Sequence, residues 1–145
     1  MPPAIAAARA ADLSEVFALL DHSKLPRAGL DRHLDTTLVA TDGGRVVGCA
    51  ALELYGAAAL LRSVAVVPEL RGRGLGRELT AAALALARRR RVRSVYLLTE
   101  TAAGFFPRFG FRPIPRAEVD AAVRSSEEFT TACPATAQVM TAALS

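Results

Sequence analysis

The chain has 145 residues and a mass of 15.3 kDa; it is 52% hydrophobic, 22% charged and 6% aromatic with no tryptophan, enough apolar material for one core and unlike a disordered or base-stacking chain. A net charge of +4 and a pI near 9.8 permit an anionic partner, but four of the arginines stand in one run, Arg88 to Arg91, so part of the excess is local. The apolar runs fall short of the roughly 18 residues of a membrane helix, and MPPAIAAARAADLSE lacks the pattern of an export signal; the expectation is a single cytoplasmic domain over 1–145.

In chain order, Ala4 to Ala8 predict a short strand. Asp12 then predicts a helix N-cap with Glu15 as box partner, and Leu13, Val16, Phe17 and Leu20 recur at helical spacing until Lys24-Leu25-Pro26 stops the helix. A second short helix is expected around Leu30 to Leu34. From Thr37 the pattern becomes that of strands: TLVAT, a DGG turn, RVVGCAALELYG and AAALLRSVAVV form an antiparallel meander ended by Pro68. Leu75, Leu79, Ala82, Ala83 and Leu86 mark one face of a helix of about four turns. SVYLLTE reads as a buried strand, TAAGFFPRFG as a short helix closed by Gly110, and FRPI as another strand. A helical stretch near Glu118 to Thr131 and a last strand, AQVMTAAL, complete a mixed α+β chain with one central strand-helix-strand unit.

Cys49 and Cys133 show no metal or redox spacing and read as reduced thiols in or near the core, while His22 and His33 stand alone. No metal site is expected.

Between the third strand of the meander and the long helix lies RGRGLGRELT, Arg71 to Thr80. Glycines free of Cβ can turn successive backbone N–H groups toward one point, and the helix start adds its dipole and free first-turn amides. Gly72, Gly74 and Gly76 thus suit a phosphate, although a tight strand-to-helix turn alone would also account for them. An ATP-type loop would need Gly-Lys followed by Ser or Thr, whereas Gly76 precedes Arg77-Glu78. A dinucleotide fold gains from Glu100 at the end of the following strand, but Pro68-Glu69-Leu70 separate strand from glycines and a meander precedes them.

From about Ile5 onward the sequence resembles the Gcn5-related N-acetyltransferase (GNAT) superfamily. SVAVVPELRGRGLGRELT looks like its central motif, a strand ending in Val-x-Pro followed by Arg/Gln-x-x-Gly-x-Gly/Ala and a helix, and AAGFFPRFGF looks like its second motif. Within the superfamily the sequence is similar to small acetyltransferases associated with arsenic resistance and to the acetyltransferase part of acetylglutamate synthases. The resemblance implies a six- to seven-stranded, mostly antiparallel sheet with one splayed parallel pair, flanked by helices. It also implies acetyl-CoA as donor, its diphosphate on the amides of Arg71, Gly72, Arg73, Gly74, Leu75 and Gly76, and its pantetheine arm along Val64, Ala65 and Val66, with the Val66 amide polarising the acetyl carbonyl. Arg71, Arg73 and Arg77 add charge for the phosphates; surface solvation is the simpler account, most of all for Arg77.

The second-motif tyrosine that commonly protonates the leaving sulfur in the family is Phe106 here, beside the coenzyme but unable to donate. Water, a backbone donor, Tyr96 or Tyr55 could take its place. Where many relatives carry an acid, this chain has Arg62-Ser63, which suits an acceptor carboxylate as readily as a surface position. Glu53 and Glu100 are the candidate bases, Glu53 also bordering the acceptor; exposed salt-bridging carboxylates are the plainer account of both. The expected substrate is the amine of a small amino-acid-like compound, glutamate-like or arsenic-containing. An O- or protein-amine acetyltransferase, or a coenzyme-binding sensor without turnover, shares the same motifs. Arg88 to Arg91 raise a nucleic-acid binder, but cations at a helix C-terminus complement its dipole without any partner. No membrane partner is expected, and a homodimer is compatible with the pattern.

Overall fold

In the computed structural model the described residues are 3–126, 128–132 and 136–144, so Cys133 lies outside them. The strands are β1 (Ala4–Ala7), β2 (Thr37–Asp42), β3 (Arg45–Tyr55), β4 (Ala58–Val66), β5 (Ser94–Thr99), β6 (Arg112–Pro113) and β7 (Gln138–Ala143); the helices are α1 (Leu13–His22), α2 (Leu75–Arg89) and a single turn, α3 (Ala121–Arg124). They form one seven-stranded sheet in the order β1-β2-β3-β4-β5-β7-β6. Only β4 and β5 run parallel among the described pairs, joined by the α2 crossover.

The meander forms because its residues alternate or run continuously apolar. Gly43 and Gly44 take φ of 60° and 80° at the β2–β3 turn, a conformation that glycine enters without strain. Strand β3 is buried along almost its whole length, as befits a central strand covered on both faces. α2 buries Leu75, Leu79, Ala83, Leu84 and Ala87 against the sheet, a stripe slightly rotated from the expected one: Leu86 is only half-buried and Leu84 takes its place. Gly48 lets that helix lie close. A Cβ built there would come within 2.8 Å of Leu79 Cδ1 and 3.2 Å of the Ala65 carbonyl oxygen. A second apolar cluster, Leu60, Ile114, Val119, Val123 and Val139 among its members, packs α3 and the segment before it against β4 and β7.

Two local expectations are corrected. Asp12 does stand at the N-cap of α1, but its side chain makes no cap bond to that helix; it ends a 3-10 turn over Ala10–Asp12 and reaches backward, where the Arg9 amide donates to its Oδ2 at 2.8 Å. That bond holds the Asp12 carboxyl below its usual range. Glu15 is then free to accept from the Val46 amide at 2.9 Å, tying α1 to the start of β3. The helix expected near Glu118 to Thr131 is interrupted. Prolines at 113 and 115 precede a 3-10 turn over Arg116–Glu118, α3 follows with Asp120 accepting from the Ala122 amide at 2.9 Å, and a wide π-type turn covers Glu128–Ala132. Part of that expectation, residue 127, lies outside the described residues. Among the described residues no helix is long and apolar enough to cross a membrane. The arginines 88 to 91 are all exposed around the C-terminal end of α2.

Candidate active site

Strands β4 and β5 pair only at Ala58, Leu60 and the residue between them, opposite Ser94 to Tyr96. Beyond Leu60 the two strands part, and the β4 edge facing β5 has no strand partner among the described residues. The cause lies in β4 itself. Between the pairs Cys49–Ala65 and Ala51–Arg62 it carries one residue more than β3, and Ser63 takes φ 61°. Such a bulge bends a strand away from its neighbour. The Cys49 thiol donates to the Ser63 carbonyl at 3.1 Å, and burial pushes that thiol up to about 12, so it remains protonated and inert.

The parting opens a cleft of about 900 Å³. Its walls are the end of β4 (Leu61 to Val66), the end of β5 and its following loop (Leu97 to Ala102), the second-motif phenylalanines 105 and 106, and the segment after α1 (Ser23 to Pro26). A smaller cleft of about 470 Å³ adjoins it, lined by Gly72, Gly74, Arg77 and Arg108; Val66, Arg71, Gly76 and Phe105 belong to both. Gly72 and Gly74 have φ of 79° and 88°, and Gly74 stands at the α2 N-cap with no side chain capping the first-turn amides. Those amides, three arginines and an apolar channel leading to a separated strand edge fit a long acyl carrier with phosphates at one end.

Val64, Ala65, Val66, Ser63, Phe106 and Glu100 line the larger cleft, Glu100 exposed at its rim. Arg71 and Gly76 stand where the clefts meet, and the Arg71 Nε donates to the Val66 carbonyl at 3.0 Å. Arg73 and the side chain of Leu75 line neither cleft; Arg73 points to solvent and Leu75 belongs to the core. Arg77, for which surface solvation was the simplest account, lines the smaller cleft, while Arg73 does not. Arg108 was missed in the sequence. It stacks 4.8 Å above the Phe105 ring and donates its Nε to the Phe105 carbonyl at 2.8 Å, so its charge is held at the smaller cleft. Its signal was a cation inside the second motif, visible only once that motif is folded beside the glycines.

Arg62 and Glu53 need correction. Arg62 lines the cleft with its backbone neighbourhood, but its side chain is 0% exposed and engaged at every nitrogen. Nη1 donates to Glu53 Oε2 and to the Ala28 carbonyl, both at 2.8 Å, Nη2 to the Pro26 carbonyl at 3.0 Å, and Nε to Ser63 Oγ at 3.1 Å with Glu128 Oε2 also 3.1 Å away. It is a strut between three segments rather than a cation waiting for a carboxylate. Glu53 does not line the cleft: it is buried, paired with Arg62, hydrogen-bonded by the Tyr55 hydroxyl and 3.5 Å from His33 Nε2. A carboxylate so occupied has no room to act as a base. Tyr55, whose hydroxyl pKa is raised by burial and by Glu53, and Tyr96 both lie outside the cleft wall, so neither replaces the missing tyrosine acid. Glu128, buried at 3% and lining the cleft, was not foreseen, since its position depends on the irregular turn before β7. Among the described residues no group of three or more His, Cys, Asp or Glu side chains could hold a metal.

A sheet parted at its one parallel pair, with an uncapped helix start beneath the opening, defines an acyltransferase of the coenzyme-using kind. A family model described as an acetyltransferase (GNAT) domain matches residues 33–113, and the chain belongs to that family. A curated relative, the uncharacterized N-acetyltransferase CT2212 of Chlorobaculum tepidum, is 38% identical over 85 residues, which are 58% of this chain and 54% of that protein. The chain thus spans about half the length of that relative. The crystal structure of Rv2747 from Mycobacterium tuberculosis in complex with CoA and NLQ superimposes with a TM-score of 0.83 at 28% identity, covering 99% of this chain and 100% of that one. N-acetylglutamate synthase from Neisseria gonorrhoeae, complexed with coenzyme A and N-acetyl-glutamate, gives a TM-score of 0.84 over 98% of this chain and 35% of its own length. At 20% identity that likeness is one of fold.

Proposed function

We propose that the protein transfers the acetyl group of acetyl-CoA to the amine of a small amino-acid-like compound. The observation that carries this is the parting of β4 from β5 directly above the glycine turn. Acetyl-CoA supplies an activated thioester. The chain's part is to hold the diphosphate on the amides from Arg71 to Gly76, with Arg71, Arg77 and Arg108 neutralising its charge, and to offer the unpaired edge of Val64 to Val66 to the pantetheine arm. An amine attacks only when neutral, so a base must take its proton; Glu100, a carboxylate at the cleft rim, is placed to do so directly or through water. Phe106 shields the reacting end without donating a proton, and the leaving thiolate takes its proton from water.

The segment after α1 and Glu128 line the same cleft as the ends of β4 and β5, which bounds the space beyond the coenzyme and suits a small acceptor. Incubation with acetyl-CoA and a panel of amino acids, including glutamate analogues and arsenic-containing ones, should release free thiol with at least one of them. Glu100→Gln should then lower kcat about 10²-fold, with the KM for acetyl-CoA unchanged. No thiol above background with any amine refutes the acceptor assignment, and an unaltered kcat removes Glu100 as the base.

A further inference from the structure

Ser23 and Lys24 follow the last turn of α1 and line the larger cleft at the end away from the phosphate arginines. Lys24 takes φ 59°, a left-handed conformation. The amide of Leu25 donates to the Leu20 carbonyl at 2.9 Å and that of Lys24 to Asp21 at 3.2 Å, so the helix ends in a Schellman-type turn with lysine at the position that favours glycine. A lysine kept there against the local preference, on the wall of a cleft, points to use of its side chain. Independently, the Ser23 hydroxyl oxygen is closed to solvent and has no hydrogen-bond partner among the described residues. Because Ser23 itself lines the cleft, that hydroxyl is satisfied once a ligand or a water displaces the atoms that cover it.

Three cations stand in the wall of this cleft: Lys24, Arg62 and Arg71. Arg62 is consumed by Glu53, Glu128 and two carbonyls, and Arg71 is bound to Val66 at the phosphate boundary. Lys24, exposed at the opposite end, is the one whose ammonium can meet an incoming anion. The Pro26 and Ala28 carbonyls held by Arg62 fix the segment that carries it. Glu100, exposed on the same cleft, suits the positive end of the same molecule, whereas Glu128 is buried against Arg62.

We propose that Lys24 and the Ser23 hydroxyl form the subsite for the acceptor's carboxylate, which makes the enzyme selective for amino acids over plain amines. The assignment rests on the acceptor being an amino-acid-like amine, and its test separates the two claims. Binding of the standard L-amino acids and of their decarboxylated amines to the CoA-loaded protein is measured by calorimetry, beside turnover with acetyl-CoA. The preferred amino acid should bind Lys24→Gly about tenfold more weakly than wild type and Ser23→Ala several-fold more weakly. The matching decarboxylated amine should bind all three proteins alike. Glycine relieves the left-handed strain, so the Tm of Lys24→Gly should equal or exceed that of wild type, which separates lost recognition from lost folding. Amino-acid binding that depends on Lys24 without any acetyl transfer supports the subsite and refutes the transferase role. Transfer whose KM for the amino acid is unmoved by Lys24→Gly, equal losses for acid and amine, or no amino-acid binding by wild type overturns the subsite.

Discussion

Arg62 shows how one side chain can look like a ligand in sequence and prove to be a support in space. A cation before the Val-x-Pro segment is visible in the chain, but its partners come from residues 26, 28, 53, 63 and 128, and no local pattern announces that they converge. With the Arg62 side chain 0% exposed and those of Glu53 and Glu128 at 3% and 5%, removing the arginine leaves two carboxylates buried beside each other. Arg62→Ala should therefore cost about 3–5 kcal/mol of folding stability, read by denaturant titration. A loss under about 1 kcal/mol would mean that the network is more hydrated than its burial indicates. Glu53 was misjudged for the same reason. As a carboxylate on a strand it was a fair base, but its strand neighbour two residues on, Tyr55, and the arginine across the β3–β4 ladder claim both its oxygens.

The elements follow their sequence periods wherever one face is buried by regular packing: β2, β3, β4, α2 and β5 all lie where alternation or helical spacing puts them. The glycine turn was legible too, because Gly72 and Gly74 occupy left-handed backbone that other residues enter at a cost. The β4 bulge was not. Its extra residue is a serine, and only the register against β3 reveals it. The segment from Arg112 to Ala132 was legible in its apolar residues but not in its shape, since single turns of three kinds share one helical-looking pattern. Gly48 concerns packing between elements. Gly48→Ala places a methyl 2.8 Å from Leu79 Cδ1 and 3.2 Å from a backbone oxygen, so the buried Leu79 side chain must turn aside or α2 must ease outward. Stability should fall by about 1–3 kcal/mol, and because the glycine turn proposed to hold the diphosphate stands at the start of α2, acetyl-CoA affinity should weaken with it. Loss of stability with unchanged affinity would show that the turn is positioned independently of the helix behind it.

The whole chain places its two chemical tasks at opposite ends of one opening. Positive charge and free amides gather where α2 begins, a strand edge without a partner runs through the middle, and a lysine, an unpartnered hydroxyl and two carboxylates stand at the far end. Only the first of these ends is written in consecutive residues, which is why its glycine turn was readable in the sequence and the proposed acceptor end, assembled from the α1 end, β4, β5 and the turn before β7, was not. The central claim is that backbone amides at the start of α2 grip the coenzyme's diphosphate, with the nearby arginines adding charge. Titrating acetyl-CoA into isotope-labelled protein and following each amide by nuclear magnetic resonance tests it. The largest shifts should fall on Gly72, Gly74 and Gly76 and on Val64 to Val66, with Arg88 to Arg91 unmoved. Shifts concentrated on the arginine run, or glycine amides that stay in place while the coenzyme binds, would contradict it.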